Sequence, residues 1–273
     1  MSGSLPPLAV AGIAWAIVAA LMAALWAWHR RLGNVGVVDV GWTLGVVTAS
    51  LLFATLGTGS VMRRSLIAAM VALWGLRLAA HLLRDRVVGR REDPRYTGMR
   101  DRGSWAAGGN FFPFFQAQAV LAVFMALPAW LASSNADPQV SRVEWLAVLL
   151  WAAGVTGETV ADRQLARFKL KPESRGRTCR DGLWRYSRHP NYFFEWVIWM
   201  AFALFASRLG SDHGLTPLDV LPWLCPALML YLLFRVTGIP ATEAQAGRSR
   251  GDDYRRYQAT TSAFLPWFPR RTQ

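Results

Sequence analysis

Residues 5–28 read LPPLAVAGIAWAIVAALMAALWAW and stop at His29, Arg30 and Arg31. No charge interrupts the run, and its apolar residues are not confined to one stripe at helical or strand spacing. A block of about 20 such residues matches the hydrocarbon thickness of a bilayer. The run lacks a basic leading region and is longer than a signal-peptide core, so it reads as a true span.

Six further blocks follow the same logic. Working outward from the first, spans are predicted over Val35–Leu56, Leu66–Leu83, Phe111–Leu131, Val143–Val160, Tyr192–Ser207 and Val220–Ile239. The basic segments 84–109 and 161–188 separate them, and a polar tail, 240–273, ends with Phe264, Trp267 and Phe268. The expected fold class is an all-α integral membrane bundle of seven transmembrane helices, organised as a single domain over residues 1–273.

The charges test that count. The chain carries 30 Lys and Arg against 17 Asp and Glu, a net charge of +13, yet charged residues are only 17% of it. In a soluble protein such a balance would suggest nucleic acid. Here 24 of the 30 cations fall after spans one, three and five and in the tail. Four (Arg63, Arg64, Arg142 and Arg208) fall on the other side, and Arg77 and Arg235 lie within spans. Excess Lys and Arg mark cytoplasmic loops, which places the N-terminus outside and the C-terminus in the cytoplasm. The expected surroundings are a lipid bilayer, with no nucleic-acid partner. The two cysteines, Cys179 and Cys225, show no metal-type spacing and read as structural thiols.

Ionisable residues within spans are costly and are functional candidates. Asp39, in Val37-Val38-Asp39-Val40-Gly41-Trp42, lies near the start of span two. It is either a buried acid with a chemical role or an interfacial Asp paired with an Arg. On span three, Trp74, Arg77, His81 and Arg84 repeat at three-four spacing and share a helix face. That face lines a polar ligand site, or it snorkels Arg77 and Arg84 to the surface. Glu158 and Asp162, one turn apart, precede Arg163, Arg167, Lys169, Lys171, Arg175, Arg177 and Arg180. This suits a phosphate-bearing ligand, against the alternative of a topology signal alone. Pro190 opens a helix on which Asn191 and Glu195 share a face at the membrane boundary, where an amide and a carboxylate can hold a carboxamide. The tail, with Glu243 and Tyr254-Arg255-Arg256-Tyr257, is either a surface amphipathic helix or a lid over the cytoplasmic mouth.

The stretch Gly182-Leu-Trp-Arg-Tyr-Ser-Arg-His-Pro-Asn-Tyr-Phe-Phe-Glu195 resembles the steroid 5α-reductase superfamily, most closely its bacterial members with a reductase-like C-terminal half. Val-Asp-Val-Gly-Trp, Trp74-Gly-Leu-Arg77 and the Pro-Trp-Phe-Pro ending extend the likeness over nearly the whole chain. The resemblance implies a seven-helix enzyme of the bacterial inner membrane that uses NADPH to reduce the C=C bond of a 3-oxo-Δ4 steroid or similar enone lipid. It assigns Asn191 and Glu195 to the nicotinamide end, Asp162 to the cofactor site, Lys169 and Arg180 to the phosphates, and Arg77 to the same cofactor. His81, Arg84, His189 and Tyr254 join them as candidate cofactor contacts. The chain departs from the eukaryotic pattern in three places. Asp39 is the nearest acid on span two, where a Gln-Glu pair is usual. Trp74 stands where span three should carry a Tyr, and Glu158 replaces an Asn.

Hydride transfer to the β-carbon leaves negative charge on the carbonyl oxygen, which needs a donor in a dry site. A carboxylic acid serves only if burial keeps it protonated. Asp39 is the catalytic candidate on that ground, with Glu195 as the second. The competing expectation is an S-adenosylmethionine-dependent methyltransferase of the isoprenylcysteine carboxyl methyltransferase kind. Those enzymes share Arg-His-Pro-x-Tyr, present here as Arg188 to Tyr192, but use a Glu-Glu pair where this chain has Thr242-Glu243. A non-enzymatic membrane protein would leave Asp39, Asn191 and Glu195 without a role.

Overall fold

The computed structural model describes residues 5–90, 92–101, 110–209, 216–236 and 238–270, without the side chains at 94, 100 and 101. Part of the basic segment 84–109 and the end of the tail lie outside these residues. Every element among the described residues is helical. Six helical runs are long and apolar enough to cross a membrane: Pro7–Leu32, Val37–Leu56, Val61–Val87, Phe112–Ser133, Arg142–Leu170 and Pro217–Arg250. The chain is thus built as a multi-pass membrane protein. The predicted sixth span is the 17-residue helix Pro190–Ala206, which falls at the short end of the range of about 17–25 residues for a span.

The chain divides into two compact units, one of residues 1–144 and 205–225 and the other of residues 145–204 and 226–273. In the first, α1 (Pro7–Leu32), α2 (Val37–Leu56), α3 (Val61–Leu82), α5 (Phe112–Met125) and α6 (Leu127–Ser133) pack together, with α2 touching all the others. The short α4 (Pro94–Asp101) follows a π-helical turn, Leu83–Val87, that prolongs α3. Small residues let α2 take the centre. A Cβ on Gly41 would lie 2.5 Å from Leu25 Cδ1 of α1, and one on Gly45 would lie 2.9 Å from Val18 Cγ1. On α3, a Cβ at Gly75 would lie 2.2 Å from Val47 Cγ2. Glycines four apart allow the close helix approach that membrane bundles rely on. The break between α5 and α6 falls just before Pro128, which has no N–H to continue the ladder.

At one end of this unit a single arginine organises a loop. Arg63 of α3 is 1% exposed. Its Nε donates to Glu144 Oε1, and its Nη2 to Glu144 Oε2 at 3.0 Å and to Gln139 O at 2.7 Å. Its Nη1 donates to Asp137 O at 2.6 Å and Asn135 O at 3.3 Å. All the N–H groups of this guanidinium are satisfied.

The second unit holds most of α7 (Arg142–Leu170), most of α8 (Pro190–Ala206), the end of α10 (Leu224–Tyr231) with the π-helical turn Leu232–Val236, and the tail helices α11 (Ile239–Arg250) and α12 (Asp252–Thr260). The four-residue α9 (Pro217–Val220) precedes α10 in the first unit. Gly154 and Gly157 bring α7 against α8, since a Cβ there would lie 2.7 Å from Ile198 Cγ1 and 2.4 Å from the Phe194 ring. Gly251, at φ 52°, turns α11 into α12.

Candidate functional site

In the second unit, α7 presents Glu158 and Asp162 on one face, 4% and 8% exposed. Opposite them α8 begins at Pro190 and carries Asn191 and, one turn on, Glu195 at 9% exposed. Asn191 Nδ2 donates to Asp162 Oδ1 at 3.3 Å, and its Oδ1 accepts the Tyr192 N–H at 3.0 Å. Glu195 Oε1 accepts the Trp199 indole N–H at 2.9 Å. The structure thus brings together the amide and the acid that the sequence assigned to one site. It adds Trp199, on the same helix face, as the group that fixes the carboxylate.

The segment between these helices is held by short-range side-chain bonds. Gln164 Oε1 accepts the Leu183 N–H at 2.9 Å, and the Trp184 indole donates to Ala161 O at 2.9 Å. Gly182 makes the turn at φ +57°, where a side chain is strained. Lys169 and Arg180, assigned to phosphates, are both exposed. Arg180 is held by the tail, with Nη2 2.8 Å from Asp253 O and 2.9 Å from Asp253 Oδ1. Asp253 Oδ2 also accepts the Thr178 N–H at 2.7 Å. Burial pushes the Asp253 carboxyl up, but the Thr178 bonds and the Arg180 charge outweigh it and hold it below the ordinary value of 3.8.

The tail folds back on the head of α8. Glu243 Oε1 accepts Arg188 Nε at 2.7 Å and lies 3.2 Å from His189 Nε2, while Glu243 Oε2 accepts Gln258 Nε2 at 3.0 Å. Arg188 Nη1 donates to Gln258 O and Thr261 O. His189, 3% exposed, stacks on Tyr192 with centroids 5.3 Å apart. The Tyr257 hydroxyl donates to Trp184 O and Ser187 O. Tyr254 is buried, and burial followed by the Glu243 charge pushes its phenol up to about 12. His189 thus meets the tail at Glu243, while Tyr254 packs within the tail against Ala246 and Tyr257.

The first unit holds the other predicted residues. Asp39 Oδ2 accepts Arg86 Nη1 at 2.6 Å and Arg95 Nη2 at 3.2 Å, and Asp39 Oδ1 accepts the Tyr96 hydroxyl at 2.7 Å. The Asp39 side chain is 24% exposed, and its geometry is that of the Arg-paired alternative. Two guanidiniums and a phenol all donate to its oxygens, so it acts as an acceptor. Tyr96 is 3% exposed, and burial followed by the Asp39 charge keeps its phenol protonated well above the ordinary 10. Arg95 also pairs with Asp93 at 2.9 Å. Asn34 and Glu92 complete the cluster, with Asn34 Nδ2 donating to Arg86 O and Val35 N–H donating to Glu92 Oε1.

The polar face predicted on α3 divides. Trp74 is fully buried, edge-on to Trp42, Arg77 and His81 are half-buried, and Arg84 is exposed. Arg84 lies in the π-helical turn that prolongs α3, and its exposure fits the alternative of a face that reaches the surface. Cys179 and Cys225 are free and buried.

A family model described as a protein of unknown function, DUF1295, matches residues 25–261. The chain belongs to the DUF1295 family. The match runs from the end of α1 to the residue after α12, and so takes in both the Asp39 cluster and the Asp162–Asn191 pair. An uncharacterised protein of Schizosaccharomyces pombe is 28% identical over 225 residues, which cover 73% of this chain. The chain spans 65% of the length of that relative. No solved structure matches.

Sequence reasoning missed Tyr96, Asp253 and the role of Arg63. Tyr96 sits in a predicted basic loop, 57 residues from its partner Asp39. One signal was present, because a buried-type residue beside Arg95 in a charged loop needs an acceptor.

Proposed function

We propose that this DUF1295 protein is an NADPH-dependent membrane reductase that reduces the C=C bond of an enone lipid, with 3-oxo-Δ4 steroids as the first substrate class. The observation that carries the reading is the pair between Asp162 of α7 and Asn191 at the head of α8, with Glu195 one turn along α8. The donor set fits the nicotinamide carboxamide. Asn191 offers both an amide donor and an acceptor, whereas Glu195 offers acceptors only. Asp162 orients the Asn191 amide, and Trp199 orients Glu195. Arg163, Arg167, Lys169, Arg175 and Arg177, all exposed, supply charge for phosphates. NADPH bound there supplies the hydride.

The carbonyl oxygen of the substrate requires its own donor. Asp39, the acid the sequence offers for that role, is held by Arg86, Arg95 and Tyr96. Arg77 remains assigned to the cofactor through the resemblance to steroid 5α-reductases, with His81 as a candidate contact. In this reading Pro190–Ala206 also crosses the membrane, as the sixth of seven spans, the N-terminus lies outside and the basic segments face the cytoplasm, in keeping with the Lys and Arg distribution.

The test is NADPH consumption by purified protein with a panel of 3-oxo-Δ4 enones, comparing wild type with Asn191→Ala and Glu195→Gln. Enone-dependent oxidation of NADPH that both substitutions lower supports the reading. The second reading is a methyltransferase using S-adenosylmethionine, favoured by the convergence of Arg188 and His189 on Glu243 in the Arg-His-Pro-x-Tyr stretch. Methyl transfer to a lipid acceptor without any NADPH oxidation would replace the first reading by the second.

A further inference from the structure

Beyond α12 the chain runs back along the head of α8 as an extended segment. It is pinned there by its backbone. Arg188 N–H donates to Ser262 O at 2.8 Å, Trp267 N–H to Tyr186 O at 2.9 Å and Arg270 N–H to Thr260 O at 2.8 Å. The Ser187 hydroxyl donates to Phe264 O at 2.8 Å. Phe264 is the buried foot of the segment, with its ring centroid 5.2 Å from Phe234, 5.7 Å from Phe193 and 5.9 Å from Trp196.

The next large side chains point outward. Leu265, Trp267 and Phe268 are 59%, 72% and 76% exposed, and Phe268 only leans edge-on against Tyr186. Because the backbone is fixed, these groups are presented rather than left to collapse onto the protein. Their apolar surface continues that of a candidate span. Phe234, which touches Phe264, is 40% exposed, and Tyr231 and Val236 beside it are 58% and 53% exposed. Those three lie on the run Pro217–Arg250, whose apolar surface faces lipid if it crosses the membrane.

We infer that Leu265, Trp267 and Phe268 insert into the headgroup–acyl boundary of the bilayer and anchor the docked tail to the membrane. Tryptophan prefers that boundary because its ring is apolar and its N–H needs a polar partner. Pro266 and Pro269 flank the aromatic pair and remove two backbone donors that a water-poor layer would strand. Exposed Arg270 follows, suited to the anionic headgroups above that layer.

The test uses the full chain at one copy per phosphatidylcholine–phosphatidylglycerol nanodisc. Nitroxide labels are placed singly through Leu265→Cys and Phe268→Cys, with Arg256→Cys as a reference because its side chain is 69% exposed on polar α12. Cys179 and Cys225 are buried, and wild type taken through the same labelling gives the background. Collision with lipid-soluble oxygen relative to a water-soluble nickel chelate is read for each label. The inference expects labels at 265 and 268 to favour oxygen severalfold over the label at 256. Labels that favour nickel as the label at 256 does would overturn it. Labels shielded from both reagents would overturn it too, because that pattern means protein, not lipid, covers the segment.

Discussion

Replacing Arg63 with Met should be among the most damaging single changes outside the candidate site. Arg63 and Glu144 are 1% and 4% exposed. Loss of the guanidinium removes the donors to Asn135 O, Asp137 O and Gln139 O, but residues 136–139 are exposed, so water can replace those bonds. Glu144 is buried, and among the described residues its carboxylate keeps the Ser141 N–H at 2.7 Å. An uncompensated buried charge costs about 3–5 kcal/mol, which for a chain of this size lowers the melting midpoint by about 10 °C. Circular dichroism of detergent-solubilised protein during heating measures it. Arg63→Met/Glu144→Leu removes both charges and should recover most of the loss. A single variant that melts within about 2 °C of wild type, less than 1 kcal/mol, would refute the reasoning. So would a double variant no better than the single one.

Three further changes probe the second unit. Glu243→Gln weakens the acceptor shared by Arg188, His189 and Gln258, and hydrogen bonds to charged groups contribute about 1.5–3 kcal/mol. Trypsin cleavage at Arg248, Arg250, Arg255 and Arg256 should accelerate by about tenfold or more, since opening governs access. Asp253 has a lowered pKa, so its hold on Thr178 and Arg180 is present above the ordinary aspartate value of 3.8 and fades as pH falls through the still lower folded value. Hydrogen exchange at the Thr178 amide should therefore be flat from neutral pH to about 4, once corrected for intrinsic rates, and rise only in stronger acid. Asp253→Asn should exchange faster throughout. Gly182→Ala forces a side chain into φ +57° against Gln164, and thermal unfolding should show a loss of about 1–2 kcal/mol.

The apolar blocks carried most of the helix map, because a bilayer demands about 20 residues of uniform character and leaves little freedom in where a span lies. The candidate site was legible only where it is local. Asn191 and Glu195 sit one turn apart, and Pro190 announces their helix. Asp39 was visible as an acid near a span, but its role depends on Arg86, Arg95 and Tyr96, which lie 47, 56 and 57 residues away. Composition has no signal for such pairing. The same holds for Arg63, which reads as one more loop charge until Glu144, 81 residues on, closes against it.

The central claim, a nicotinamide site at the head of α8, is tested most directly by the melting midpoint of the solubilised protein with NADPH, NADP+ or S-adenosylmethionine. A ligand at about 100 times its dissociation constant stabilises by about 2.7 kcal/mol. NADPH and NADP+ should raise the midpoint of wild type and not that of Asn191→Ala or Glu195→Gln, with S-adenosylmethionine inert. Stabilisation by S-adenosylmethionine alone, or an NADPH shift that survives both substitutions, would contradict the account.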